Sequence, residues 1–452
     1  MSIAVDDASP ALAAANPARE KMSALQMWIM LLCSLVLFLD GMDTAAIGFV
    51  APAMATEFAM PRSQLGPLLS AALFGMAAGS FIAGSLADRI GRKPVLIGSV
   101  LLFGVCTLAC AFVHSMPGLT LLRVLTGLGL GGAMPCAGPL LAEYMPARRR
   151  SFYVSLMYCG FPLGASAGGF MAAALIPHLG WPSVFVVGGV LPVILAVCML
   201  VLPESLSFMV ANNWPSAKIK RVMDRMQAVL PVESPASGAH VRRITALGGI
   251  GMILARQHVF GTVMLWIGYF MGLLVFYLLT SWLPTILQDA RFSIRESAAI
   301  AALIPLGGVI GTIVCGWLLD RFAPYKVTMF TYALGALSLW AAGAVLAHVP
   351  VLIAAIFSAG FFVIGSQASM LALAIHYYPT TCRATGSGWM LGVGRAGGIV
   401  GALAGVPLLH LQLSINTMIS ILAMPAFVAA IAVGLSGFAF IRRETGSVKN
   451  LG

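Results

Sequence analysis

Apolar residues in this chain run in unbroken blocks of about 20 residues, parted by short polar or charged punctuation, with no strand-like alternation. Twelve blocks are read, at approximately 26–49, 64–87, 94–114, 119–141, 152–176, 182–202, 258–285, 296–319, 326–347, 351–375, 386–409 and 414–440. Each is long enough to cross a hydrocarbon layer of ~30 Å as an α-helix. The pattern therefore predicts an all-α integral membrane protein of twelve spans.

Composition agrees and narrows the alternatives. Of 452 residues 60% are hydrophobic and 9% charged, with a mean hydropathy of +0.96, beyond what a soluble domain carries. A net charge of +11 would suit nucleic acid if the basic residues shared one surface. They do not: Arg62, Arg291 and Arg295 fall in loops on one side, Arg123 and Arg395 inside spans, and the remaining Lys and Arg in the loops and ends of the other side. The positive-inside rule then predicts both termini in the cytoplasm, where anionic lipid is the polyanion met.

Residues 1–24, with Asp6, Asp7, Pro10 and Pro17 among alanines, lack the basic start and short apolar core of a signal peptide and read as a disordered cytoplasmic tail. The eight cysteines show no metal-ligand spacing and read as small packing residues. The glycine run Gly127–Gly132 lacks a following Lys-Ser/Thr and sits within a span, so no phosphate-cradling loop is expected. Neither cofactor, metal nor enzymatic chemistry is expected.

Between Pro203 and Gln257 hydropathy falls and charge rises. This predicts a cytoplasmic linker, 203–257, carrying a short surface helix and dividing six spans (25–202) from six (258–440), with a cytoplasmic tail at 441–452. Self-similarity supports the division. Gly84, Asp88 and Arg89 recur as Gly316, Asp320 and Arg321 at an offset of 232, and Tyr144, Pro146, Arg150, Gly164 and Gly168 recur as Tyr377, Pro379, Arg383, Gly397 and Gly401 at 233. Two related six-helix bundles facing each other are expected.

Asp40 and Asp43 are the chemically informative residues of the first span. Ionisable groups at membrane depth mark pathways for ions or substrate. Three residues apart on a helix, the carboxylates share one face, about 5 to 6 Å apart at Cβ, so one is expected to hold a proton unless a cation is near. Arg123, a turn into span four, lies at the depth of Asp43. The two can form a proton-coupling pair, or a permanent structural ion pair. Asp40, a turn deeper, can carry a second proton, polarise a substrate hydroxyl, or accept from neighbouring helices. A second proton would add ~2.3 kcal/mol per 100 mV to transport of a monocarboxylate.

Arg395, near mid-membrane in span eleven among Gly392, Gly394, Gly397 and Gly398, offers a planar fork to a carboxylate, or to an acid on another helix. An aromatic slot would draw on Tyr158, Phe161, Phe270, Phe276, Tyr277, Phe361, Phe362 and Trp389, with Gln367 and Ser366 available to a ring hydroxyl.

Several stretches resemble a known family. Gly84-Ser-Leu-Ala-Asp88-Arg89-Ile-Gly91-Arg92-Lys93 resembles the loop signature of the major facilitator superfamily, and Arg123-Val-Leu-Thr-Gly127-Leu-Gly129-Leu-Gly131-Gly132 its fourth-helix motif. Asp40-Gly-Met-Asp43-Thr-Ala-Ala, Cys159-Gly-Phe-Pro-Leu-Gly164, Glu143-Tyr-Met-Pro-Ala-Arg-Arg-Arg150 and Arg383-Ala-Thr-Gly-Ser-Gly-Trp389 resemble its aromatic acid:proton symporters, those for 4-hydroxybenzoate and protocatechuate above all. The second loop, Asp320-Arg321-Phe-Ala-Pro, lacks the Gly-Arg of the first.

The resemblance implies a monomeric importer in a bacterial inner membrane that takes up an aromatic carboxylate with protons, by alternating access. An exchanger or exporter of organic anions, and a receptor without transport, are the competing readings. It also implies a gate at Gly84, Asp88, Gly91, Arg92, Glu143, Asp320 and Arg383, with Asp88 set against the start of span eleven near Thr385 and Gly386, and Arg92 paired to Glu143 or Glu204.

Overall fold

The computed structural model describes residues 22–146, 149–226, 251–345, 348–379, 382–411 and 413–449. Among these residues, twelve helices are long and apolar enough to cross a membrane. In order they are spans one Ala24–Glu57, two Leu65–Ile90, three Arg92–Cys110, four Met116–Tyr144, five Arg150–Leu179, six Pro182–Val201, seven Val259–Asp289, eight Ile294–Arg321, nine Pro324–Ala344, ten Val349–Tyr377, eleven Thr385–Leu408 and twelve Asn416–Arg442. Ser23 opens the first with a capping box, accepting from the Gln26 amide at 3.2 Å while the Gln26 side chain returns to its own N–H at 2.9 Å. Ser293 and Glu296 open span eight in the same way.

The departures from expectation lie at ends and breaks. Span one continues past 49 to Glu57, absorbing Pro52, whose carbonyl accepts from the Thr56 hydroxyl at 3.1 Å. Span five is two helices, Arg150–Tyr158 and Gly160–Leu179. The ring of Pro162 is incompatible with a helical carbonyl four residues back, at Tyr158. The last helix runs on to Lys449, so the tail expected from 441 is helical that far. The linker starts with helices Leu206–Ala211 and Ser216–Met226. Its residues 227–250, residues 1–21 of the expected amino-terminal tail and 450–452 of the carboxyl-terminal tail lie outside the described residues.

The internal repeat is written into the packing. A Cβ on Gly164 would stand 1.8 Å from the Phe38 carbonyl oxygen and one on Gly168 3.0 Å from that of Met42; in the second bundle Gly397 and Gly401 stand at 2.2 and 2.4 Å from those of Phe270 and Leu274. Spans two and four meet at Gly75 against Val124 and Gly127 against Ala72, and spans eight and ten repeat this at Gly307 against Phe357 and Gly360 against Ile304. Only glycine lets helices approach this closely. These contacts fix the register of the duplication: span one maps onto span seven at an offset of 232, so Asp40 corresponds to Gly272 and Asp43 to Val275.

The even span count puts both ends of the bundle pair on one side, here called the terminal side. The apolar core is one cluster on the distal side, joining span one (Ile47, Val50, Met54) to spans seven and eight (Leu278, Trp282, Ile300). On the terminal side it splits in two, one cluster of the first bundle that takes in Ala402 of span eleven, and one within the second bundle. Polar contacts follow suit. Distally, Ser166 donates to the Ala302 carbonyl at 2.9 Å, and Arg62 donates to the Thr285 carbonyl at 3.3 Å and pairs with Asp289. The bundles are thus closed distally and parted at the terminal side.

Candidate transport site

Span one turns Asp43 toward spans three and four. Arg123 Nη1 donates to both carboxylate oxygens at 3.1 and 2.9 Å, its Nη2 lies 3.3 Å from the Asp43 carbonyl, and the Thr107 hydroxyl donates to Oδ1 at 2.7 Å. Arg123 and Asp43 are buried, and the guanidinium carbon sits 6.0 Å from the Phe185 ring centroid. Two opposite charges with this much bonding form a matched unit; removing either would strand the other. Thr107 is not among the residues expected from sequence, although a hydroxyl among apolar neighbours in the last turn of span three is the signal that marks it.

Asp40, one turn away on the same helix, is 0% exposed yet bonded quite differently. Its Oδ1 accepts from Thr44 at 3.3 Å, and its Oδ2 has no hydrogen-bond partner among the described residues. Arg395 of span eleven and Tyr277 of span seven lie within electrostatic reach of it.

Arg395 itself reaches across the seam between bundles. Its Nη1 donates to the Met76 carbonyl of span two at 3.0 Å and to the Ser80 hydroxyl. The carboxylate clamp expected from sequence here holds neutral partners, a carbonyl and a hydroxyl. Around it the glycines of span eleven serve as seats for rings. Gly394 faces the ring of Tyr269 and Gly398 that of Tyr277, both so close that a Cβ would collide, while Gly397 abuts the Phe270 backbone. Phe161 packs on Phe276 at 6.2 Å and Phe276 on Tyr277 at 5.0 Å between centroids. Gln367 of span ten adjoins Tyr269, with its amide nitrogen 3.5 Å from that residue's carbonyl oxygen.

Of the predicted slot, Arg395 and Tyr277 lie within electrostatic reach of Asp40 and Phe161 joins Tyr277 through Phe276, whereas Gln367 is set against Tyr269 and Phe270 packs against the distal core. Trp389 stands apart, 45% exposed near the start of span eleven and stacked on Trp266. Tyr158, at the break in span five, is 42% exposed and sets its hydroxyl against Gly138 of span four. Tyr269 and Tyr332 join the site without having been expected from sequence; a tyrosine inside an apolar span is a polar group in need of a partner, and that is the signal that marks them.

The loop after span two folds as a clasp inside the first bundle. Gly91, at φ +104°, turns the chain so that the amides of Arg92 and Lys93 donate to Glu204 Oε1 at 3.0 and 3.1 Å, placing a carboxylate at the start of span three. Arg92 pairs with Glu143, which also accepts from the hydroxyls of Ser205 and Ser207 at 2.7 Å each. Asp88 and Asp320 are exposed. Gly84 has open space around it, Arg321 lies over the Trp317 ring at 4.3 Å, and Arg383 donates to the Tyr378 carbonyl at 3.4 Å. Gly386, where Asp88 was expected to dock, faces the Tyr378 ring instead, as the parted terminal side requires.

Comparison with known proteins adds a separate line of observation. Residues 33–402 match the family model described as Major Facilitator Superfamily. The 4-hydroxybenzoate transporter PcaK of Pseudomonas putida is 44% identical over 93% of this chain and 94% of its own length. The gallate transporter of the same organism is 41% identical over 93% and 94%. Among solved structures, the inward open conformation of the xylose transporter XylE from E. coli superposes with a TM-score of 0.71 at 16% identity, covering 90% of this chain and 95% of that one.

Proposed function

The chain belongs to the Major Facilitator Superfamily and to its aromatic acid transporters, and on that premise we propose that it imports a hydroxybenzoate of the 4-hydroxybenzoate or protocatechuate kind, with protons, by alternating access. It is a transporter-family protein and not an enzyme. The excess of Lys and Arg in the loops of the terminal side supports a cytoplasmic terminal side, on which the parted face is the one that releases cargo.

One observation carries the coupling: of two carboxylates on one helix face, Asp43 is neutralised by Arg123, whereas Asp40 has a buried oxygen with no partner among the described residues. An unpaired buried charge is expensive, and a proton on Asp40 removes it. Asp40 is then the proton carrier, and the Asp43–Arg123 pair is the fixed frame that can yield a second proton only if Arg123 withdraws. Arg395 holds the substrate carboxylate in exchange for its contacts to Met76 and Ser80. Loading would therefore exchange a contact between bundles for a contact with cargo, which is what a rocking step needs.

Proteoliposomes loaded at neutral pH and diluted into acidic buffer with labelled 4-hydroxybenzoate test this reading. Accumulation that collapses with a protonophore supports symport. Counterflow without accumulation would mean an exchanger, and binding without flux a receptor; either would end the proposal.

A further inference from the structure

A series of contacts inside the first bundle leads from the distal surface to the Asp43–Arg123 pair. It starts at the turn between spans five and six. Gly180, at φ +73°, lets the chain reverse between Leu179 and Pro182, and the reversal turns Trp181 inward, where it is 2% exposed. Its indole N–H donates to the carboxylate of Glu57, the exposed last residue of span one, at 2.6 Å. One turn further along span six, Phe185 meets the indole edge to face, with ring centroids 5.9 Å apart and planes at 82°. The guanidinium of Arg123 lies over that same Phe185 ring. Glu57, Trp181, Phe185 and Arg123 are therefore connected without a gap, from an exposed carboxylate to a buried one.

The pair is close to the distal solution. Arg123 follows Met116, the distal start of span four, by only about 10 Å of helix, yet both it and Asp43 are buried. Asp40 stands one turn beyond Asp43, and the bundles are parted on the terminal side. Water admitted to the pair from the distal side would give the proton carrier two approaches at once, and a carrier reached from both solutions passes protons without cargo. Resting on the proton-coupled reading above, we propose that Trp181, stacked on Phe185 and hung from Glu57, is a proton barrier that closes the distal approach to the Asp43–Arg123 pair. The barrier is the ring, and the charge-assisted bond to Glu57 holds it in place. A phenyl ring in its place forfeits that bond and still excludes water. A methyl group leaves a space of several waters' volume with the Glu57 carboxylate on its rim, and a cavity with a polar rim fills.

Proteoliposomes with an entrapped pH dye, their potential clamped by potassium and valinomycin, are given an external acid step without cargo, for wild type, Trp181→Ala and Trp181→Phe. In parallel, pH-driven accumulation of labelled 4-hydroxybenzoate is followed, and its affinity is measured by calorimetry on the purified proteins. In Trp181→Ala the cargo-free proton influx should rise roughly tenfold, as for a barrier lowered by about 1.4 kcal/mol, and accumulation should fall while affinity stays that of the wild type. Trp181→Phe should stay close to the wild type in all three measurements. Mere packing at this site would cost stability without passing protons, so a Trp181→Ala protein that binds cargo and remains proton-tight would overturn the proposal. An equal leak in Trp181→Phe would place the barrier in the Glu57 bond instead of the ring and overturn it as well, as would lost cargo affinity in Trp181→Ala without a leak. A wild type that fails to accumulate cargo on a pH gradient would sink the symport reading alone, because the influx measured without cargo still decides the role of Trp181.

Discussion

Asp40 and Gly272 occupy the same place in the two halves of a duplicated scaffold, and they are opposites. The helix contacts around them are repeated between halves almost atom for atom, with glycines 164 and 168 on the carbonyls of span one and glycines 397 and 401 on those of span seven. Within that common frame the first bundle buries Asp40, Asp43 and Arg123, whereas the second puts Gly272 and Val275 at the aspartate positions and fills the space with the neutral pair Tyr332–Gln367. Duplication preserved what sets distances between helices and released what sets charge. On the function proposed above, one half holds the proton and the other the cargo, and Arg395 stands at the seam between them.

The sharpest way to break this division is at the matched pair. Arg123→Leu strands Asp43 in a buried site and should destabilise the protein by about 3–5 kcal/mol and abolish uptake. Arg123→Leu with Asp43→Leu should recover most of that stability while staying inactive. A single variant that melts with the wild type would mean that the pair is not the frame described here.

Next in size is Asp40→Asn, which should cost little stability, since it replaces a carboxyl with an orphaned oxygen by a neutral isostere. A coupled proton supports about tenfold accumulation per pH unit, so the variant should lose pH-driven accumulation while keeping counterflow. If Asp43→Asn, and not Asp40→Asn, gives that phenotype, the roles of the two acids are exchanged.

Why these two acids differ could not be read from their spacing. The twelve spans were legible, because hydropathy and length suffice where every backbone group must be satisfied within its own helix. The Asp43–Arg123 meeting was legible too, from equal depth. The difference between Asp40 and Asp43 depends on Thr107 and on which face of span one meets spans three and four, and neither leaves a periodic trace. Arg395 shows the same limit: its charge and depth were visible, but its turn to Met76 and Ser80 depends on how the two bundles stand against each other. The break in span five was written in Pro162, and the run of span one through Pro52 was settled by tertiary packing over local propensity.

Arg395→Lys probes the seam at a smaller scale. A point charge keeps the attraction but loses the planar fork, so affinity for the aromatic carboxylate should fall roughly tenfold. Because the seam contact weakens as well, maximal rate should fall less than affinity. Unchanged affinity would remove Arg395 from the cargo site and leave it a strut between bundles.

The smallest effect is expected at the distal rim, where Arg62 of the first bundle pairs with Asp289 of the second. Both side chains are about one-third exposed (30% and 37%), so the pair is screened and should contribute less than about 1 kcal/mol. It matters through balance. The contact exists only while the distal side is closed, so Asp289→Asn withdraws a fraction of a kcal/mol from one state alone, shifting the closed-to-open ratio by less than about fivefold. Accessibility of a cysteine placed distally, read by a membrane-impermeant maleimide, should rise by that modest factor in the variant, and high salt should raise it in the wild type toward the same level. A rise far larger would make the rim, and not the exchange of partners at Arg395, the principal lock between the halves.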